Sequence, residues 1–132
     1  MKVLIVDDSR VLRMHLGIMM RAMGWQTDEA ENGERALERL RADGSYELAL
    51  MDVNMPEMGG IECVRRLRSE LPGFAAKLMM VTTEADFSLI ADVLEDGADE
   101  FLMKPFTRES LQAKLQLMSL PVHAQAEAAD EL

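Results

Sequence analysis

Five short strand-like stretches, four of them apolar, alternate with five longer stretches whose apolar residues recur every three or four positions, and this alternation restricts the fold more than any other feature of the chain. Runs of strand length take period-two or fully buried patterns, whereas the longer stretches fit one face of a helix. Strict strand–helix alternation implies parallel βαβ units with right-handed crossovers and helices on both faces of one sheet. The predicted strands are Lys2–Val6, Trp25–Ala30, Tyr46–Met51, Lys77–Val81 and Asp99–Met103. The second is the most polar and belongs near a sheet edge. The predicted helices are Val11–Met23, Glu34–Ala42, Gly60–Leu71, Asp86–Asp96 and a final one capped by Thr107. Ser9 and Thr107 are N-cap residues, and Gly24, Asp43-Gly44, Pro72-Gly73 and Gly97 are stop signals.

The run Leu48-Ala49-Leu50-Met51 ends abruptly in Asp52, followed by a loop holding Pro56, Gly59 and Gly60. An uninterrupted apolar run bounded by turn residues reads as a strand buried on both faces. Asp is also a common turn starter, so Asp52 taken alone carries little. The other strand ends change that. They supply Asp7 and Asp8, Thr82, and Lys104. A parallel sheet brings its C-terminal strand ends to one rim, where ligands and chemistry gather.

Three carboxylates brought together repel one another and raise one another's pKa values. A hard divalent cation relieves that conflict, and Mg²⁺ takes oxygen ligands from few carboxylates while keeping several waters. The expected ligands are Asp8, Asp52 and the backbone carbonyl of Asn54, with Asp7 acting through a bound water. The ion keeps Asp52 ionised and nucleophilic. Lys104 offers a mobile positive charge and Thr82 a hydroxyl, both suited to the equatorial oxygens of a transferring phosphoryl group. The product expected on Asp52 is an acyl phosphate.

Net charge is −10 over 132 residues, a surface that repels nucleic acid and anionic membranes. Residues 119–132 contain Glu127, Asp130 and Glu131 and no Lys or Arg, so −3 lies there and −7 in the remainder. The single cysteine, Cys63, excludes an internal disulfide and suits a reducing cytoplasm. No apolar run reaches the roughly 18 residues of a membrane helix. One folded domain over residues 1–118 is expected, with residues 119–132 as a mobile tail or clipped linker. The 12 methionines fall mostly on apolar faces and read as adaptable core packing.

These residues, in this order, resemble the receiver domain of two-component response regulators. The likeness rests on Val6-Asp7-Asp8-Ser9, Met51-Asp52-Val53-Asn54-Met55-Pro56 with Gly59-Gly60, Val81-Thr82-Thr83-Glu84-Ala85, and Phe101-Leu102-Met103-Lys104-Pro105-Phe106. It covers about residues 1–118 and is nearest to the stand-alone, chemotaxis-type (CheY-like) members. The resemblance implies a flavodoxin-like five-stranded parallel sheet of order 2-1-3-4-5, flanked by five helices, with a cis Lys104-Pro105 bond. It implies that Asp52 takes a phosphoryl group, with Mg²⁺, from a sensor histidine kinase or phosphotransfer protein. Thr82 is then drawn toward that group and Phe101 turns inward. The surface of the fourth helix, fifth strand and fifth helix changes its affinity for a downstream protein. Asn54 and Glu84 occupy positions that tune hydrolysis, and they match the chemotaxis-type choice, which implies a short-lived phosphoryl group. On this reading the chain is a cytoplasmic monomer that catalyses only its own phosphorylation and dephosphorylation.

Some residues depart from the family pattern. Val53 follows the acceptor where an aromatic is usual. Phe101 lacks the hydroxyl of Tyr. Asp86-Phe87-Ser88 lacks the paired lysines of the flagellar-motor-binding type, and Trp25 is expected far from the site. Two other readings remain: a receiver cut from a larger regulator, and a small phosphohydrolase of the haloacid-dehalogenase type. The latter wants a second acid where Asn54 stands, and a cap for which no residues are present. Elsewhere, His15 reads as solvated or packed and His123 as inert. Cys63 reads as a half-buried helix residue, and Arg65, Arg66 and Arg68 as a small solvated basic face.

Overall fold

The computed structural model describes residues 1–122, apart from the side chain of Glu84. Five parallel strands lie in the order β2-β1-β3-β4-β5. They are β1 Lys2–Val6, β2 Gln26–Ala30, β3 Leu48–Asp52, β4 Lys77–Thr82 and β5 Glu100–Met103. The helices are α1 Arg10–Ala22, α2 Gly33–Ala42, α3 Gly60–Glu70, α4 Ile90–Glu95 and α5 Arg108–Leu117. The order is the one implied by the resemblance, and the polar second strand is an edge strand.

Side chains alternate between the sheet's two faces, and each face builds its own core. Leu4, Val6, Ala49, Met51, Leu78 and Met80 meet Ala36, Leu37 and Leu40 of α2, Cys63, Val64 and Leu67 of α3, and Ile90 and Val93 of α4. Val3, Ile5, Leu48, Leu50, Met79 and Val81 meet Leu16 and Met20 of α1 and Leu111 and Leu115 of α5. The three central strands are therefore apolar almost throughout, because both their faces are covered.

Two strands run further than the sequence indicates. Asp52 pairs in register with Val81, and Thr82 with Met103, so both polar residues are part of the ladder rather than of the following loops. The third strand also starts later, at Leu48; Tyr46 stays buried outside it, its hydroxyl donating to Asp28 Oδ2 at 2.6 Å. The fourth helix is shorter than Asp86–Asp96. Residues Glu84–Leu89 form a 3-10 turn, and α-helix begins only at Ile90. Phe87 and Leu89 are exposed, which leaves Ile90 and Val93 as the inward anchors. Asp86 instead accepts a hydrogen bond from the Thr83 hydroxyl at 3.1 Å, a local contact that competes with helix formation.

Cys63 is fully enclosed rather than half-buried; its thiol lies 3.6 Å from the Gly33 carbonyl, and burial pushes its pKa up to about 12. The expected basic face is largely paired. Arg65 meets Asp96, Arg66 meets Glu70, and Arg68 donates twice to the Gly97 carbonyl and once to that of Phe74. Beyond residue 118, Leu120 and Val122 pack on the α1–α5 layer, and the Trp25 indole N–H donates to the Pro121 carbonyl at 2.9 Å. His123 and the rest of the expected tail lie outside the described residues. No helix among the described residues is long and apolar enough to cross a membrane.

Candidate functional site

All the polar residues singled out at strand ends meet at one rim of the sheet. Asp7 directly follows β1, Asp52 closes β3, Thr82 closes β4, and Lys104 directly follows β5. Asp7, Asp52 and Thr82 are 2%, 6% and 1% exposed, and they are the buried polar side chains among the described residues. Buried carboxylates are costly unless paired or bound to a cation. Here one carboxylate oxygen from each of Asp7, Asp8 and Asp52 lies within 4.8 Å of the others. Among the described residues the one cation reaching the group is Lys104, whose Nζ lies 3.3 Å from Asp52 Oδ1 and 3.4 Å from Asp7 Oδ2. A single ammonium against three carboxylates leaves the site electrically short of positive charge. Asp8 is exposed and gives the group its open side.

Burial raises the Asp52 pKa to about 6, and the neighbouring Asp7 carboxylate adds to the rise, while Lys104 opposes it. Hard oxygen donors, two of them buried, with an open face toward water, fit Mg²⁺. Asp7, Asp8 and Asp52 are the side chains that would hold it.

The turns around these groups are fixed locally. The Ser9 amide donates to Asp7 Oδ1 at 2.8 Å, and the Ser9 hydroxyl caps α1 by accepting from the Leu12 amide at 3.3 Å. The guanidinium of Arg13 reaches back from α1 and donates to the Asp7 carbonyl at 2.6 Å and to Glu29 Oε1 at 2.8 Å. The sequence pattern places Arg13 on a helix and says nothing of this contact, which depends on how the chain turns from β1 into α1. After β3, the Val53 amide donates to the Val81 carbonyl, and the Asn54 amide points toward Asp52 Oδ1 at 3.5 Å. A Cβ on Gly60 would stand 2.4 Å from the Asp52 carbonyl oxygen, so only glycine lets α3 start this close to the strand end.

The two residues expected to move are held by contacts outside the acid group. The Thr82 hydroxyl donates to the Thr83 carbonyl at 3.1 Å. Phe101 is half-buried on the edge strand, with the Lys114 ammonium 3.9 Å from its ring centroid and Phe87 packed edge-on at 5.5 Å. Asn54 is exposed in the loop beside Asp52, and Glu84, its expected companion, lies outside the described side chains. Lys104-Pro105 is a cis peptide. His15 is exposed, with its ring stacked on Phe106 at 5.5 Å. Trp25 lies at the strand starts, on the rim opposite the acids, beside Met1 and Gln26.

The chain resembles known proteins over nearly its whole length. The chemotaxis protein CheY1 of Helicobacter pylori is 34% identical over 119 residues, covering 89% of this chain and 96% of that protein. The structure of chemotaxis protein CheY4 of Vibrio cholerae superposes with a TM-score of 0.79 at 32% identity, over 88% of this chain and 96% of that one. Response regulator TrrA of Thermotoga maritima, solved in complex with Mg²⁺-BeF, superposes with a TM-score of 0.77 at 30% identity, over 89% of this chain and 97% of that one. Residues 3–116 match the response regulator receiver domain. With the 2-1-3-4-5 sheet and its acid-lined rim, these likenesses place the chain in the response regulator receiver family, among its CheY-like members.

Proposed function

We propose that this protein is a two-component signalling switch in which Asp52 is the phosphoacceptor. Receivers of this kind are signalling domains rather than conventional enzymes, and they hold Mg²⁺ at an acidic pocket. The observation that carries the reading is the buried Asp52 carboxylate, grouped with Asp7 and Asp8 and approached by Lys104 at 3.3 Å. Asp52 attacks phosphorus as its bond to the donor imidazole nitrogen breaks, and the bonding pair leaves with that nitrogen. Asp8, Asp52 and the Asn54 carbonyl, with Asp7 through a water, would hold Mg²⁺, which would supply charge neutralisation there. Lys104 and the Thr82 hydroxyl take the phosphoryl oxygens. Thr82 leaves its bond to Thr83, and Phe101 gives up its place under Lys114 to follow it, which alters the α4-β5-α5 surface. CheY-like receivers work between histidine kinases and downstream targets, and this chain takes that place. The receiver occupies residues 1–118, and the described residues after it act as a strap.

The test is incubation with Mg²⁺ and acetyl phosphate or a beryllofluoride salt, alongside Asp52→Asn. A labile gain of one phosphoryl mass, or amide shifts around β4 and β5, is expected in the native protein and absent from the variant. Equal behaviour of the two refutes the assignment. With Asn54 and Glu84 tuning hydrolysis, the phosphorylated protein is expected to decay well within an hour in Mg²⁺. Persistence for many hours without a phosphatase would exclude that role for the pair.

A further inference from the structure

We infer that Arg13 is a positioning residue for the acid site, setting the Asp7-Asp8 turn so that both carboxylates face the metal. The inference rests on the metal-dependent reading above. Asp7 is where β1 must part from its neighbours to enter α1. Its amide still donates to the Ala30 carbonyl at 3.2 Å, which continues the ladder with β2. Its own carbonyl accepts from Arg13 Nη1 at 2.6 Å, in place of a ladder amide. A buried carbonyl without a partner is costly, so this bond fixes the peptide that joins Asp7 to Asp8. Rotation of that peptide would swing both carboxylates.

Arg13 is well placed for the task. It sits one turn into α1, on the helix that Ser9 caps and whose Arg13 amide bonds the Ser9 carbonyl at 3.0 Å. Its side chain is 14% exposed, and its Nε donates to Glu29 Oε1 at 2.8 Å, so its two edges are committed to different strands. Glu29 lies in β2 opposite Ile5. The guanidinium thus ties the α1 entry to two adjacent strands and orients the turn between them. Lysine has no planar fork and cannot hold both partners in one geometry.

Simple electrostatics and positioning predict opposite outcomes. Deleting a cation bonded to the Asp7 carbonyl, next to the acid group, raises the local negative potential and should tighten Mg²⁺ binding. Deleting a positioning contact should weaken it, and loss of an outer partner of a metal ligand typically costs about 10-fold or more in affinity. The experiment is a Mg²⁺ titration of native protein, Arg13→Ala, Arg13→Gln and Arg13→Lys, followed through the amide shifts of Asp8 and Asn54 well below each protein's unfolding temperature. About 10-fold weaker binding is expected for Arg13→Ala, with Arg13→Lys recovering part of it. Arg13→Gln should weaken binding in the same direction and decides the matter if the alanine variant does not fold. Unchanged or tighter binding in a folded variant overturns the positioning role. Acetyl phosphate uptake by the native protein, run in parallel, separates the two claims: its failure sinks the phosphoacceptor reading, whereas normal uptake with unaltered Mg²⁺ affinity of the variants sinks only this one.

Discussion

Asp52 is strained as an isolated group and useful as part of a site. Its carboxyl is buried beside Asp7, and with its pKa near 6 it binds protons more readily in the folded protein than in the unfolded chain. Between its ordinary value of 3.8 and about 6, the folded state therefore holds the extra proton. The stability this group contributes falls as pH rises through that window, and it stays lower above it. The total loss in metal-free protein is at most about 3 kcal/mol, from roughly two pKa units at 1.36 kcal/mol each. Asp52→Asn removes the charge and keeps the shape. At pH 7.5 without divalent ions the variant is expected to be more stable than the native protein by about 1–2 kcal/mol. Urea unfolding from pH 4 to 7.5 would measure this, and Mg²⁺ should narrow the gap by stabilising the native protein alone. A variant no more stable than the native protein would show that Lys104 already balances the cluster. The residues of this cluster were legible in the sequence because each ends an apolar run with a group that a buried strand would not otherwise tolerate. Arg13 was not legible, since a helix arginine spaced like any solvated one gives no hint of where its fork reaches.

Helices and strands hold those side chains in register. Because Asp52 and Thr82 belong to the ladder, their positions are set by backbone pairing and not by loop conformation. The start of α3 is pressed against the same strand end, with Gly60 where a Cβ would strike both the Asp52 carbonyl oxygen and, at 2.7 Å, Met80 Cε. Gly60→Ala is expected to cost about 1–3 kcal/mol through overpacking. It should also displace the Asp52 peptide, so that phosphoryl uptake falls even at temperatures where the variant stays folded. Thermal melting and acetyl phosphate labelling together check this, and an unaffected labelling rate would refute the coupling. The polar β2 was read from its place between two helical patterns, whereas the other strands and four of the helices could be read from their inward apolar residues at regular spacing. The Asp86–Asp96 region could not. Its pattern is helical, but Phe87 and Leu89 face solvent and Thr83 draws Asp86 into a local bond, so the chain winds more tightly until Ile90.

Taken whole, the molecule is a two-sided sandwich whose one rim carries chemistry and whose other rim carries the strap. Pro121 suggested a break at the end of the fold, yet Leu120 and Val122 close over the α1–α5 layer and Trp25 is anchored to the strap. A chain ending at Met118 is expected to lose about 1–3 kcal/mol, from the apolar surface that returns to water and the indole N–H left without its partner. The same truncation should shift the Trp25 emission to the red. Urea midpoints and fluorescence spectra of the two lengths would check it, and equal midpoints would mean that the strap rests on the surface without adding to stability. Trp25 fluorescence should thus report the integrity of the strap far better than it reports Mg²⁺ or phosphorylation.

Met1 and Pro121 both lie next to the start of β2, with the Met1 carbonyl accepting from the Gln26 amide and the Pro121 carbonyl from Trp25. A fluorescent protein or affinity handle attached before Met1 would therefore hang from the rim turned away from the carboxylates. Such a chimera should exchange phosphoryl groups at the rate of the untagged chain, which makes this scaffold convenient for building a reporter of kinase activity.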